Sequence, residues 1–493
     1  IRPSGLARRL RRMPDASNGS PMSASTADLV PATGSGPRGI ERAGIEPVDP
    51  ALKTVRWQDL FSIIINFQIN PGQILVAGMS VAAGLPVWQA VLAQTGGTLA
   101  AFLAYVVMAT AGVDHGIPGQ AATRMAFGLR GAKLIPSSLR TIASVYWFGF
   151  QTVAGSLAIV AVLDRWTGTP HGLLPVSLAF GALQATVATI GYGSLKLLSR
   201  IALPVKLAIL AWIAVTLATH ADPAFAPRTV FGYQAAQTHW LVFMIWFNTA
   251  TATWLTMITD AADFCRYSRS RRDMWIGTLS AACVGALLVS LVGAYAAAAT
   301  HGHVVNAFAV LADITTTRLS LALILLMVVL DNWTINVLNL YTGGLSLLNV
   351  VERLGRLRAT LLVSVAGIAL SAFPGVAQGY AAWLVLLGTA FDPVAGILVA
   401  DYLFVRHMRI DVPALFQPGG RYWYRAGFNP ASLAWTAIGV CLALFVVPPS
   451  WPVPLVVVLV SGLGYWATMH LAPGGSREPA CGPESAGPHR FSL

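Results

Sequence analysis

The chain has 493 residues, 55% of them hydrophobic and 11% charged, with a mean hydropathy of +0.65. A soluble domain carries about 25% charged residues, so this composition cannot clothe a water-facing surface and excludes an ordinary soluble enzyme or binding module. The net charge of +12 is spread over many short segments instead of one basic domain, and does not point to nucleic acid.

In chain order, residues 1–56 read as a disordered cytoplasmic tail. RRLRRMP has no apolar run behind it, unlike a signal peptide, and 14–38 are rich in Ser, Gly, Pro and Ala. Met13 is a second possible start. Twelve apolar runs follow, each near the ~20 residues that cross a bilayer as a helix. They lie at about 60–84, 87–111, 139–163, 173–192, 201–219, 239–259, 275–299, 320–347, 358–374, 380–404, 431–448 and 453–471. Residues 472–493 form a second cytoplasmic tail. Lysine and arginine collect in cytoplasmic loops. With the N-terminus inside, 29 of the 32 fall on inner segments, and only Arg165, Arg228 and Arg318 fall outside. The expected location is therefore the plasma or inner cell membrane, multi-pass, with both termini cytoplasmic.

The first span, INFQINPGQILVAGM, places Pro71 and Gly72 in mid-membrane. Proline removes a donor and glycine lets the chain unwind, so these two are the expected hinge. The sixth, WFNTATATWLTMITDAADF, has no proline or glycine but is dense in threonine. Two interrupted segments five spans apart point to an inverted-repeat transporter with its site at the midplane. That makes 57–219 and 239–405 the two repeats and 430–471 a peripheral pair.

The third span, SVYWFGFQT, sets Trp147 and Gln151 one turn apart on one face. An indole face and a bidentate amide suit a flat heteroaromatic ring. Trp254 in span six can close the other side. The eighth span, VLDNWTINVLNLY, carries Asn332, Asn336 and Asn339 on one helical face, with Asp331 and Thr334 beside it. Single asparagines commonly join helices. Three beside an intramembrane carboxylate favour a ligand and ion site. The charged motifs DAADFCRYSRSRRD and GILVADYLFVRH read as anchors or gates, through Asp263 with Arg266 and Asp401 with Arg406.

Several of these motifs together (GIEPVD, WFGFQ, DFCRY, NWTINVLNLY and DPVAGILVADYLFVR) resemble the nucleobase:cation symporter family, which includes cytosine and hydantoin permeases. The resemblance covers nearly the whole membrane region. It implies an all-α polytopic fold of twelve transmembrane helices, a five-plus-five inverted-repeat, leucine-transporter-like core plus two peripheral helices. It also implies import of a nucleobase or related planar heterocycle coupled to protons or sodium, with no cofactor. Carried over by motif, Trp147 and Trp254 sandwich the ring, Gln151 bonds its edge, and Thr256 and Asn336 contact it; Asn339, on the same helical face as Asn336, is expected to complete the substrate site. The cation site is implied at the backbone of Phe67 and Asn70 with Asp331 and Thr334. Sodium-coupled members show two successive hydroxyls where this chain has Thr334 and Ile335, and a small residue or asparagine where it has Asp331. A buried carboxylate can load and release a proton, so the sequence favours proton coupling through Asp331 over sodium.

Rival readings are weaker. Asp260 and Asp263 resemble half of a magnesium-diphosphate site, but no second carboxylate cluster shares the metal, and His301 and His303 lack partner ligands. The four cysteines have no metal spacing. The protein is therefore read as a carrier and not an enzyme. Amino acids or vitamin precursors remain the alternative solutes, and no protein partner is identifiable.

Overall fold

The structure is a computed structural model that describes residues 46–188, 192–234, 240–315 and 317–471. Most of both expected tails (1–45 and 472–493) lies outside the described residues. Residues 46–56 are not a loose tail: Val48 is buried, its N–H bonds Gly116 O at 2.9 Å, and the Val55 N–H bonds Tyr267 O at 3.0 Å.

The main helices are α1 (Trp57–Gln68), α2 (Pro71–Ala82), α3 (Val87–His115), α4 (Ser138–Thr167), α5 (Leu173–Ala188), α6 (Tyr192–Ala218) and α7 (Trp240–Leu255). They continue with α8 (Arg271–Ala299), α9 (Arg318–Val350), α10 (Arg356–Leu370), α11 (Tyr380–Ala400), α12 (Pro430–Cys441) and α13 (Val453–Leu471). Among the described residues eight helical segments are long and apolar enough to cross a membrane, and the pair α1–α2, bent by 53°, makes a ninth. Shorter helices (α5, α10 and α12) stand where the other three spans are expected.

The first break follows from its sequence. Asn70 is extended (φ −150, ψ 157), and Pro71 opens α2 where its missing N–H is harmless. Asn70 Oδ1 accepts the Gln73 N–H at 2.9 Å while Nδ2 donates to Phe67 O (2.7 Å) and Gln68 O (3.2 Å). One side chain thus caps both half-helices. The sixth span breaks too, at Thr256–Met257, before a 3-10 turn (Ile258–Asp260) and a short helix (Ala261–Cys265). Here threonine hydroxyls take up loosened carbonyls: Thr253 donates to Thr249 O (2.7 Å) and Thr256 to Thr253 O (2.6 Å).

Around these breaks the helices form two groups. The broken pair packs on α8, and α8 and α7 both pack on α3; in the other group α9 packs on α4 and α10. Helix α6 touches both α1 and α9. Close approach of α8 depends on three glycines eight residues apart, each set against the broken α1–α2 pair. A Cβ on Gly277 would meet Trp57 O at 2.6 Å, on Gly285 the Gln68 Cβ at 2.5 Å, and on Gly293 Ile74 O at 2.1 Å. Gly293→Ala should therefore lower the thermal unfolding temperature in detergent, by a stability loss of about 1–3 kcal/mol. Gly375→Ala, with nothing within 4 Å, should leave it unchanged.

Candidate functional site

Where α2, α4, α9 and the broken α7 meet, a cavity of about 20 Å³ lies among Asn70, Gln73, Arg140, Trp147, Gln151, Thr253, Trp254, Thr256, Met257, Ile335 and Asn339. That is room for about one water, so the site is closed down on itself. Trp147 is held by Tyr146, Phe150 and Tyr380 with ring centroids 5.6, 5.9 and 6.2 Å away. Trp254 is held by Phe102 at 5.6 Å and Phe67 at 6.0 Å. The Trp147 indole N–H donates to Thr256 Oγ1 at 3.2 Å, tying α4 to the α7 break.

Among the described residues, the unpartnered buried polar atoms of this lining include Gln151 Oε1, an acceptor, and Trp254 Nε1, a donor, with Arg140 Nε as a third at its floor. An unmade buried hydrogen bond costs about 1–3 kcal/mol, so a ligand that supplies both complements recovers that free energy. Gly72 lets the α2 backbone approach Gln151, since a Cβ there would lie 2.6 Å from Oε1.

The expected substrate residues Trp147, Gln151, Trp254, Thr256 and Asn339 thus converge on one cavity. Asn336 does not join them. Its amide donates to Thr152 Oγ1 (3.0 Å) on α4, to Asn332 Oδ1 (3.2 Å) on α9 itself and to Gln184 Oε1 on α5. Asn332 likewise donates to Gln151 O at 2.7 Å. These two amides join helices, and Asn339 reaches the cavity while donating to Asn336 Oδ1 at 3.2 Å. The helical wheel is right about the shared face, but the upper part of that face is covered by α4 and α5.

On the neighbouring face, Thr334 meets the end of α1 and Asp331 meets Lys206 of α6. The carbonyls turned to them belong to Asn66 and Ile69, not to Phe67 and Asn70, because the carbonyl of Phe67 is taken by the Asn70 amide. Thr334 Oγ1 lies 3.2 Å from Asn66 O and 2.9 Å from Asp331 O. Lys206 of α6, which the sequence assigns to an inner segment, is fully buried here with its Nζ 2.8 Å from Asp331 Oδ1. Its position inside IALPVKLAILAWIAV was the available signal.

Arg140 was also counted among the inner charges. It is fully buried beneath the cavity, paired with Asp260 at 3.0 Å, and donates to Thr256 O (3.2 Å) and Thr342 Oγ1 (2.9 Å). Asp260, offered above as half of a metal site, is therefore neutralised by a guanidinium. Asp263 accepts the Gly119 N–H at 2.7 Å, and Arg266 donates to the Tyr341 hydroxyl at 3.3 Å. Asp401 lies 3.5 Å from Arg406 and accepts from Tyr465 at 2.6 Å, anchoring α11 to α13. Beyond the spans, burial pushes the Glu352 carboxyl up, but Lys133 and Arg124, each 3.0 Å away, outweigh it and hold the group below its usual value.

Removing one partner of a buried ion pair costs about 3–5 kcal/mol. Arg140→Met or Asp260→Leu alone should therefore strongly reduce the yield of monodisperse protein. The double variant should regain most of it in size-exclusion profiles.

Residues 47–467 match the protein family described as permeases for cytosine/purines, uracil, thiamine and allantoin. A hydantoin permease from Microbacterium maritypicum is 27% identical over 75% of this chain and 77% of its own length. The allantoin permease of Bacillus subtilis strain 168 is 26% identical over 81% and 85%, and the cytosine permease of Escherichia coli K12 is 28% identical over 75% and 79%. Among solved structures, the chain shares its fold with Mhp1, a nucleobase-cation-symport-1 family transporter closed on bromovinylhydantoin. There the TM-score is 0.75 at 23% identity, covering 87% of this chain and 96% of that one. A sodium-coupled sialic acid symporter shares the fold with a TM-score of 0.61 at 11% identity, over 86% of this chain and 92% of that one. The match spans nearly all of the membrane region, and this chain belongs to the family of permeases for cytosine/purines, uracil, thiamine and allantoin.

Proposed function

We propose that this protein imports a neutral planar heterocycle with an amide-like edge, driven by a proton gradient, through a site that opens alternately to the two sides of a cell membrane with both termini in the cytoplasm. One observation carries the reading: Trp147 and Trp254 line the same closed cavity as an unpartnered amide oxygen and an unpartnered indole N–H. The relatives named for hydantoin, allantoin and cytosine share that ligand chemistry, a small ring presenting N–H and C=O groups.

In this reading the ring slides between the indoles as α7 and α2 part from α4. Gln151 Oε1 accepts a ring N–H, Trp254 Nε1 donates to an acceptor on the ligand, and Asn339 bonds the remaining edge. Thr256, freed from Trp147, supplies a hydroxyl. The closed cavity is too small for a ring, so Pro71 and Gly72 mark where the backbone flexes to admit one. Arg140 with Asp260 and Thr342 forms the inner floor, which must separate for release. Its cation is already matched by Asp260, which disfavours an anionic solute such as an amino acid carboxylate.

For the coupling ion, Ile335 follows Thr334 where a second hydroxyl would help hold sodium, and Asp331 adds a carboxylate three residues before Thr334. An intramembrane carboxylate of this kind suits a proton relay.

Purified protein screened by thermal shift against cytosine, uracil, purines, hydantoins and allantoin should respond to one ring class. Trp147→Ala should weaken that ligand about 5- to 150-fold, from a stacking contribution of about 1–3 kcal/mol, with affinity measured below the melting temperature of the variant, which loses the packing of a buried indole. An unaltered affinity would move the site elsewhere. In proteoliposomes, an inward pH gradient without sodium should drive uptake of the same ring. Uptake driven by a sodium gradient alone would contradict proton coupling.

A further inference from the structure

At the break between α1 and α2 two backbone carbonyls, Asn66 O and Ile69 O, turn toward α6. In a continuous helix Ile69 O would accept the Gln73 N–H, but that N–H is held by Asn70 Oδ1. Asn66 O, four residues before the extended Asn70, accepts from Lys206 Nζ and from Thr334 Oγ1. Both oxygens sit at the negative end of a half-helix, where cations are favoured. Lys206 Nζ lies 2.8 Å from Asn66 O, 2.9 Å from Ile69 O and 3.2 Å from Thr334 Oγ1. An ammonium has three N–H bonds, and these three oxygens use them all. The Asp331 carboxylate, 2.8 Å away through Oδ1, is then met by charge.

We propose that the Lys206 ammonium is a built-in cation occupying the position at the first-span break that a free coupling ion would otherwise fill, so that the protein binds no sodium there. This rests on the reading of α1 and α9 as the cation side of the site, and deepens it by naming the occupant. The four oxygens surround one positive charge, and Lys206 and Asp331 are both fully buried. A sodium ion at the same place would have to displace the ammonium, and one beside it would repel it across a dry interior.

Among the described residues Asp331 is the one charged side chain within ion-pair distance of Lys206. On α1, Asp59 lies at the far end with Arg200. On α8, the charges Arg271, Arg272 and Asp273 lie in its first turn, Asp273 with Arg269. The coupling charge of this carrier is therefore the proton shared by the Lys206–Asp331 pair. When Lys206 passes that proton to Asp331 Oδ1, 2.8 Å away, amine and carboxylic acid are both neutral, α1, α6 and α9 lose the charges that draw them together, and the acid holds the proton for release.

The test is thermal unfolding of detergent-purified protein in sodium chloride against choline chloride at equal ionic strength, with no heterocycle present. The wild type should melt at the same temperature in both salts. Lys206→Ala vacates the ammonium but keeps Asp331, Thr334 and both carbonyls, and should gain a saturable, sodium-specific rise of several degrees. Lys206→Arg, which keeps the charge, should stay indifferent to sodium. A saturable sodium-specific rise in the wild type overturns the proposal, and so does a folded Lys206→Ala protein that ignores sodium. If Lys206→Ala folds in neither salt, the wild-type comparison alone decides in the same two directions. Because no heterocycle is used, failure here leaves the indole cavity standing, whereas failure of the ring screen leaves this result standing.

Discussion

The constraint on which this structure rests is that hydrocarbon offers no partner to a free peptide group. A transport site needs broken helices, and every break frees donors and acceptors at the most expensive depth. The chain resolves each break with a different polar device. At the first, Asn70 caps two half-helices at once and leaves the carbonyls of Asn66 and Ile69 to a lysine ammonium. At the second, Thr253 and Thr256 fold their hydroxyls back on the chain, and Thr256 also receives the Trp147 indole. The cavity between the indoles and the buried Lys206–Asp331 pair both lie where these two breaks are satisfied.

Helix α9 shows how one sequence stripe serves several ends. Its residues from Asp331 to Asn339 are all within three turns, yet they face three environments. Asn332 and Asn336 join α9 to α4 and α5, Asp331 and Thr334 face α1 and α6, and Ile335 and Asn339 face the cavity. The amide network fixes α9 against α4, so that Gln151, whose own carbonyl accepts from Asn332, presents its side chain at a set distance from both indoles. Support and recognition are thus neighbours on one helix, separated by about 100° per residue.

Much of this was legible in the residues. Apolar length, the Pro71–Gly72 pair and the Trp147–Gln151 spacing are local signals, and local signals survive folding. The polar break in span six was readable as a threonine cluster because hydroxyls can replace the bonds a helix loses. What could not be read was long-range pairing. Lys206 and Arg140 looked like inner-loop charges because positive residues near helix ends usually face the cytoplasm. Only the packing of α6 against α9, and of α4 against the α7 break, brings each to its carboxylate. The same limit displaced the carbonyl pair by one residue, since which oxygens turn inward depends on how Asn70 spends its amide. Asn336 was misplaced for a related reason: a helical wheel reports a face, but not which neighbour covers it.

The central claim is that a heterocycle completes the unmade hydrogen bonds of Gln151 and Trp254 between two indoles. A cryo-electron microscopy map of the protein with the ring that stabilises it best would test this most directly. The account predicts density stacked between Trp147 and Trp254, with an N–H edge on Gln151 and the Trp147–Thr256 bond opened. Density at the pocket lined by Asn248, Thr249 and Asp392, with the indole cavity still closed, would contradict it.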